Sequence, residues 1–131
     1  TEPAEVARYK ELLSQRLVEP GQLEIFVMNA DGTGQHQVTS NGASNFAPYF
    51  HPDGTRIIFS SNVETREVGG RPSFHLYLIG DNGAGLERLT FEGQFNSFPM
   101  FSPDGKRIVW VSDRNAKERG EFNVFLADWV P

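Results

Sequence analysis

The side chains that could support chemistry in this sequence are three histidines, His36, His51 and His75, together with scattered serines and carboxylates. A metal site needs three or four converging ligands, and the chain has no cysteine to supply thiolates. Neither the Gly-x-Ser-x-Gly nucleophile elbow nor the phosphate-binding Gly-x-x-x-x-Gly-Lys-Ser/Thr loop occurs. The sequence therefore predicts no catalytic residue, no metal site and no cofactor.

The strands that would position any site are encoded by a sequence motif that occurs twice, here called the Pro-Asp-Gly phrase. Residues 45–61 contain Phe50-His51-Pro52-Asp53-Gly54, and residues 96–112 contain Phe101-Ser102-Pro103-Asp104-Gly105, each followed by Arg-Ile one residue later. Proline presets the first turn position, aspartate bonds its own backbone, and glycine accepts a positive φ. With apolar runs on both sides, each phrase predicts a β-hairpin.

The repeat is longer than the hairpin, because residues 24–62 match residues 75–113 without a gap, mostly at turn positions. A third copy begins at Asn123. Repeats of about 40 to 50 residues with four strands each are typical of β-propellers. We therefore predict an all-β fold, a partial β-propeller of about two four-stranded antiparallel blades with one N-terminal α-helix. Strands are predicted at 23–29, 35–39, 46–51, 56–61, 74–79, 86–90, 97–102, 107–112 and 122–127.

The helix is predicted over residues 1–20. Its apolar residues recur at spacings of three and four, and Pro20-Gly21 would end it. These apolar residues are Val6, Tyr9, Leu13 and Leu17. Two alternatives follow: the helix packs on the side or end of the propeller, or it docks a partner.

The repeats resemble those of TolB-like propellers. The resemblance is carried by the two Pro-Asp-Gly phrases, by Ile25–Gly32 and by Leu89-Thr90, and it extends from about residue 23 to 128, with His51 in place of the usual serine. It implies blades whose strands run from inner A to outer D. We divide the chain into an N-terminal helix and linker (1–22) and propeller repeats (23–131), with a half blade at 23–39, a full blade at 45–90 and an incomplete blade at 96–128. So few strands predict a C-terminal fragment of a longer propeller, or a protomer that closes by association.

Strand order sorts the connections onto two faces. The short A–B and C–D turns share one face, whereas the B–C loops (62–73 and 113–121) and D–A loops (40–45 and 91–96) share the other, here called the long-loop face. Because binding residues concentrate on loops held by a rigid scaffold, partner binding is predicted there. The candidates are Asn45, Arg66, Arg71, Phe91, Phe95, Asn96, Arg114 and Lys117. The alternative is a plug between blades for the two phenylalanines, and bonding to turn backbone for the two asparagines.

Composition excludes several classes of function. The net charge is −5 with no basic run, which argues against nucleic-acid binding. No apolar stretch approaches the length of a membrane span. Uncovered blade faces predict self-association, since large apolar patches are rare on stable monomers.

The resemblance implies a non-catalytic scaffold that binds envelope proteins or peptides in a periplasmic or extracellular setting. The alternative is the substrate-gating propeller portion of a larger hydrolase resembling prolyl oligopeptidase. A third possibility is a truncated chain with no activity of its own.

Overall fold

The computed structural model describes residues 2–17, 21–66 and 71–130. Within them lie one helix and nine strands. They are α1 (Pro3–Ser14), β1 (Phe26–Val27), β2 (His36–Gln37), β3 (Asn45–Phe50), β4 (Arg56–Ser61), β5 (His75–Gly80), β6 (Glu87–Arg88), β7 (Asn96–Phe101), β8 (Arg107–Ser112) and β9 (Asn123–Asp128). The strands form three antiparallel sheets, with orders β1-β2, β3-β4-β5-β6 and β7-β8-β9. The predicted all-β fold with one N-terminal helix is confirmed.

Both Pro-Asp-Gly phrases close hairpins by the expected turn chemistry. Gly54 and Gly105 have φ of 74° and 69°, and their N–H groups donate to the carbonyls of His51 (2.9 Å) and Ser102 (2.8 Å). The Asp53 carboxylate accepts the Thr55 N–H at 2.9 Å. This bond and the Arg56 guanidinium lower the pKa of Asp53.

The hydrophobic core lies between sheets rather than within any one of them. Side chains alternate along β4, so that Ile57 faces the first sheet and Ile58 faces the third. The cluster between the first two sheets comprises Ile25, Val38, Ile57, Phe59, Tyr77 and Ile79. The cluster between the second and third comprises Ile58, Leu76, Leu78, Phe101, Ile108 and Trp110. The middle sheet therefore buries both faces, whereas each end sheet leaves one open.

The open face of the third sheet carries apolar residues at positions whose equivalents in the second sheet are buried. From the pairing of Ser61 with His75 and of Ser112 with Asn123, Val124 and Leu126 stand where Leu76 and Leu78 stand in the second sheet. Leu76 and Leu78 are buried, but Val124 and Leu126 are 72% and 64% exposed. This face of the third sheet therefore has the apolar pattern of a surface that packs against another blade, although no other described residues cover it.

The helix is shorter than predicted and does not pack as expected. It ends at Ser14 because Arg16 takes a left-handed φ of 58°. The N–H groups of Arg16 and Leu17 then donate to the carbonyls of Leu13 and Leu12, a Schellman termination. No helix residue is buried, so the predicted packing on the propeller is not seen. The predicted stop at Pro20 falls outside the described residues.

The outer D strands, β2 and β6, are also shorter than predicted, at two residues each. The reason is a threonine in each repeat. The hydroxyl oxygen of Thr39 accepts the Ile25 N–H (2.8 Å), and that of Thr90 accepts the Leu76 N–H (2.9 Å). A side-chain acceptor thus replaces the next backbone bond of the ladder and ends the strand pairing.

Candidate functional site

The loops of the long-loop face are bonded to one another by hydrogen bonds that range from exposed to buried. The Asp113 carboxylate accepts the N–H groups of Gln94 (2.8 Å) and Phe95 (2.9 Å). At the equivalent place one blade earlier, the side-chain oxygen of Asn62 accepts the Ser44 N–H at 2.9 Å. The first residue of each B–C loop, Asn62 or Asp113, is therefore bonded to the D–A loop before it, which holds the two loops together at that point.

The two repeat-related asparagines are buried and bond to the loops, in different ways. The Asn45 amide donates to the Leu23 carbonyl (2.8 Å) and the Asn41 side chain (2.9 Å), and its oxygen accepts the Ser61 hydroxyl (2.7 Å). The Asn96 amide donates to the carbonyls of Glu92 (2.9 Å) and Phe74 (3.2 Å), whereas its oxygen has no partner among the described residues. These contacts support the turn-bonding interpretation for both residues.

Glu24 and His75 occupy one repeat position beside these asparagines. The Glu24 carboxylate accepts the N–H groups of Asn41 (3.1 Å) and Gly42 (2.8 Å). The His75 ring instead contacts the hydroxyls of Ser73 (3.0 Å) and Thr90 (3.3 Å). Burial lowers the pKa of His75, and the nearby Arg88 lowers it further.

The two candidate phenylalanines are placed differently. Phe95 is half-buried, and its ring centroid lies 5.4 to 6.4 Å from those of Phe46, Phe74, Phe98 and Phe122. Phe95 thus joins two blades, as the plug interpretation requires. Phe91 is 72% exposed, with the Arg88 guanidinium 5.0 Å from its ring centroid. Phe91 is the better candidate for a contact with a partner.

The candidate cations lie on several loops and form no single cluster. Arg114 pairs with Glu92 at 2.7 Å and lies 5.4 Å from the Phe125 ring centroid. The side chains of Arg66, Arg71 and Lys117 are exposed. Partner binding through these residues stays a prediction.

The three histidines do not converge. The His36 ring is bonded to the Asp81 carbonyl (3.0 Å), and the His75 ring contacts the hydroxyls of Ser73 and Thr90. The centroid of the His51 ring lies 4.6 Å from the centroid of the Phe101 ring. Within the described ranges, no three His, Cys, Asp or Glu side chains are grouped to hold a metal ion. Across the same part of the chain, no helix is long and apolar enough to cross a membrane.

A crevice between β6 and β9 was missed by the sequence reasoning. Its volume is about 350 Å³. It is lined by Leu76, Leu89, Thr90, Phe91, Glu92, Ile108, Trp110, Arg114, Ala127, Asp128 and Trp129. The signal that could have revealed it is a size difference between repeats. Ile79 packs in the first interface, and the smaller Ala127 takes its place in the second.

Comparison with known proteins gives the family. The model of the TolB β-propeller domain, PD40, matches residues 10–129. This chain belongs to the TolB β-propeller family. The predicted resemblance and the partial propeller are thereby confirmed. The sheets with orders β1-β2, β3-β4-β5-β6 and β7-β8-β9 are called blades 1, 2 and 3 below.

Individual relatives support the same family, and each of them is longer than this chain. The chain is 36% identical over 95 residues to the Tol-Pal system protein TolB of Helicobacter hepaticus, covering 70% of this chain and 21% of the relative. It is 33% identical over 129 residues to the TolB homolog of Chlorobium chlorochromatii, covering 72% of this chain and 29% of the relative. It is also 35% identical over 90 residues to dipeptidyl-peptidase 5 of Porphyromonas gingivalis, covering 69% of this chain and 12% of the relative.

Solved structures show the same fold. TolB from Acinetobacter baumannii superposes with a TM-score of 0.64 at 27% identity, over 86% of this chain and 26% of that one. The structure assigned to TolB of Agrobacterium tumefaciens gives 0.64 at 26% identity, over 80% and 37%. The chain thus spans well under half the length of the proteins it matches.

Proposed function

We propose that this chain is part of a non-catalytic propeller scaffold that binds envelope proteins or peptides through its long-loop face. The observation that carries the proposal is the fastening of B–C loops to D–A loops by Asp113 and Asn62. A binding surface made of loops costs less entropy to order when its loops are already fixed. Phe91 and the exposed cations then supply contacts on a rigid support.

The setting is proposed from the relatives. One is named a component of the Tol-Pal system and another a TolB homolog. A periplasmic or extracellular location and partners among envelope proteins follow for this chain if it acts as they do. The pI near 5.1 argues against a nucleic-acid partner.

The test compares two faces of one molecule. Immobilised chain is exposed to a detergent-solubilised bacterial envelope fraction, retained proteins are identified by mass spectrometry, and a purified one is titrated. The double variant Phe91→Ser/Lys117→Ser should weaken binding at least tenfold. The matched variant Lys106→Ser/Arg107→Ser, near the short-turn face, should leave it unchanged. Loss of binding in the second variant alone would refute the assignment to the long-loop face.

A second candidate function is the gating propeller of a larger hydrolase, favoured by the similarity to dipeptidyl-peptidase 5. In that case the long-loop or short-turn face would border a catalytic domain encoded elsewhere in the parent protein. The deciding observation is the parent reading frame: a domain with a Gly-x-Ser-x-Gly elbow would replace the scaffold function.

We also propose self-association through the open blade faces. Val124 and Leu126 are exposed on blade 3, and Phe26 and Met28 are 52% and 58% exposed at the blade 1 end. Removing such apolar surface from water is favourable. Three copies would approximate a ring of about six blades, within the range in which propellers close.

A further inference from the structure

Four turns of the short-turn face share one backbone geometry at an Asp-Gly or Asn-Gly step. In each of them the glycine has a positive φ, and its N–H donates to the carbonyl three residues earlier. The side-chain oxygen of the residue before the glycine accepts the N–H two residues farther along the chain, at 2.9 to 3.0 Å. These four residues are Asp31, Asp53, Asn82 and Asp104. Three of these side chains are carboxylates, and only Asn82 is an amide.

The difference matters because the backbone nitrogen of a glycine can attack the side-chain carbonyl carbon of the residue before it. An ionised carboxylate resists this attack, since its negative charge makes the carbon a poor electrophile. Hydrogen bonds within the turns lower the pKa values of Asp31, Asp53 and Asp104, so these side chains are ionised at neutral pH. The Asn82 amide is uncharged, and its carbonyl carbon remains open to attack.

The surroundings of Asn82 leave this amide accessible. The side chain is exposed, and no described residue accepts a hydrogen bond from its Nδ2. Gly83 has no Cβ to obstruct the approach of its nitrogen to Asn82 Cγ. The attack must break one hydrogen bond between neutral groups, from the Gly83 N–H to the Gly80 carbonyl at 2.9 Å.

The other Asn-Gly step of the chain, Asn41-Gly42, is held differently. The Gly42 N–H donates to the Glu24 carboxylate at 2.8 Å, and this negative charge disfavours loss of the amide proton. The Asn41 side chain is half-buried. Its Nδ2 donates to Asn45 Oδ1 at 3.3 Å, and its oxygen accepts the Ala43 N–H at 3.0 Å. The same dipeptide is therefore protected in one repeat and accessible in the next.

We propose that Asn82 is a site of spontaneous deamidation. The Gly83 nitrogen loses its proton to water and bonds to Asn82 Cγ, while the Cγ–Nδ2 bond breaks and ammonia leaves, which closes a five-membered succinimide. Water then opens one of the two imide carbonyls. Opening at one carbonyl gives aspartate at position 82, and opening at the other gives isoaspartate, in which the main chain runs through the side-chain carbon.

The two products should affect the fold in opposite ways. Aspartate gives this turn the carboxylate that the other three turns already have. Isoaspartate instead adds an atom to the main chain at a crowded junction with blade 1. A Cβ on Gly83 would lie 2.8 Å from the Val38 carbonyl oxygen, and His36 Nε2 lies 3.0 Å from the Asp81 carbonyl oxygen. Isoaspartate should therefore loosen the contact between blades 1 and 2.

This inference does not rest on the proposed function, because the turn belongs to the short-turn face and not to the long loops. The full chain is incubated at mildly alkaline pH and digested. Mass spectrometry with electron-transfer fragmentation then measures deamidation at each site and distinguishes aspartate from isoaspartate. In the folded chain Asn82 should react at least tenfold faster than Asn41. In guanidinium chloride the two rates should become nearly equal, because both steps are Asn-Gly.

Urea unfolding tests the effect of the products on the fold. The midpoint of the parent chain should fall during incubation as isoaspartate accumulates. The variant Asn82→Asp has no amide to lose and carries the carboxylate of the other turns. Its midpoint should be at least as high as that of the fresh parent chain and should hold during the same incubation.

Three results would overturn the inference. Equal rates at Asn41 and Asn82 in the folded chain would show that the local structure does not select the site. Reaction at Asn82 only after unfolding would show that the turn protects it. An unchanged midpoint in chains that contain isoaspartate at position 82 would refute the loosening of the contact between blades 1 and 2.

Discussion

The repeat-related asparagines offer a matched pair in which one structural difference predicts a difference in stability. Asn45→Ala removes the bonds that its two amide hydrogens donate to Leu23 and Asn41, and the bond from the Ser61 hydroxyl. At a net value of about 1 kcal/mol for each of these three hydrogen bonds, the loss is about 3 kcal/mol.

Asn96→Ala removes fewer bonds. Two good ones are lost, to Phe74 and Glu92, which amounts to about 2 kcal/mol. The substitution also removes the buried side-chain oxygen that has no partner in the described part of the chain. Removing its desolvation cost stabilises the folded state by about 1 kcal/mol. The expected loss is therefore about 1 kcal/mol, about 2 kcal/mol less than for Asn45.

Urea unfolding of the two variants and the parent chain checks this difference. Both substitutions delete the same atoms from a buried site, so the cavity terms largely cancel in the comparison. With a slope of about 2 kcal/mol per molar urea, the two midpoints should differ by about 1 M, with Asn45→Ala the lower. Equal midpoints, or a lower midpoint for Asn96→Ala, would refute the reasoning from the counted bonds.

Two further predictions concern pH and assembly. Burial lowers the pKa of His75 from 6.5, so the unfolded chain takes up this proton more readily, and stability should fall as pH drops below about 6.5. Urea midpoints at pH 7.5 and 5.5 should show the fall, His75→Gln should reduce it and His36→Gln should not. Leu126→Asp should lower the solution mass measured by light scattering at high concentration, whereas Glu87→Asp should not, and an unchanged mass in the first variant would contradict association through blade 3.

Turn chemistry made most of the fold predictable from the sequence. Pro-Asp-Gly fixes its own backbone geometry, so β4 and β8 begin and end where predicted, at 56–61 and 107–112. The D strands and the helix could not be bounded in this way. Their ends depend on a threonine hydroxyl in each D strand and on a left-handed Arg16, and neither follows from an apolar pattern.

The candidate site was predictable only as a set of loops. Sequence equivalence treats Asn45 and Asn96 alike, but the structure separates them because their neighbours differ between repeats. Glu24 in one repeat becomes His75 in the next, and Asn41 becomes Glu92. The crevice likewise lies between two blades, and one of its lining residues, Ala127, is smaller than the equivalent Ile79 of the preceding repeat.

The location of the core between blades determines the order in which parts of this chain unfold locally. No blade holds a core of its own, so each is stabilised chiefly by what its neighbour brings to the shared interface. The two central strands of blade 2, β4 and β5, contribute to both clusters and should be the last to lose amide protection in hydrogen exchange. Blades 1 and 3 each hold one such interface and should fray first, so that adding a neighbour at either end would protect residues two blades away.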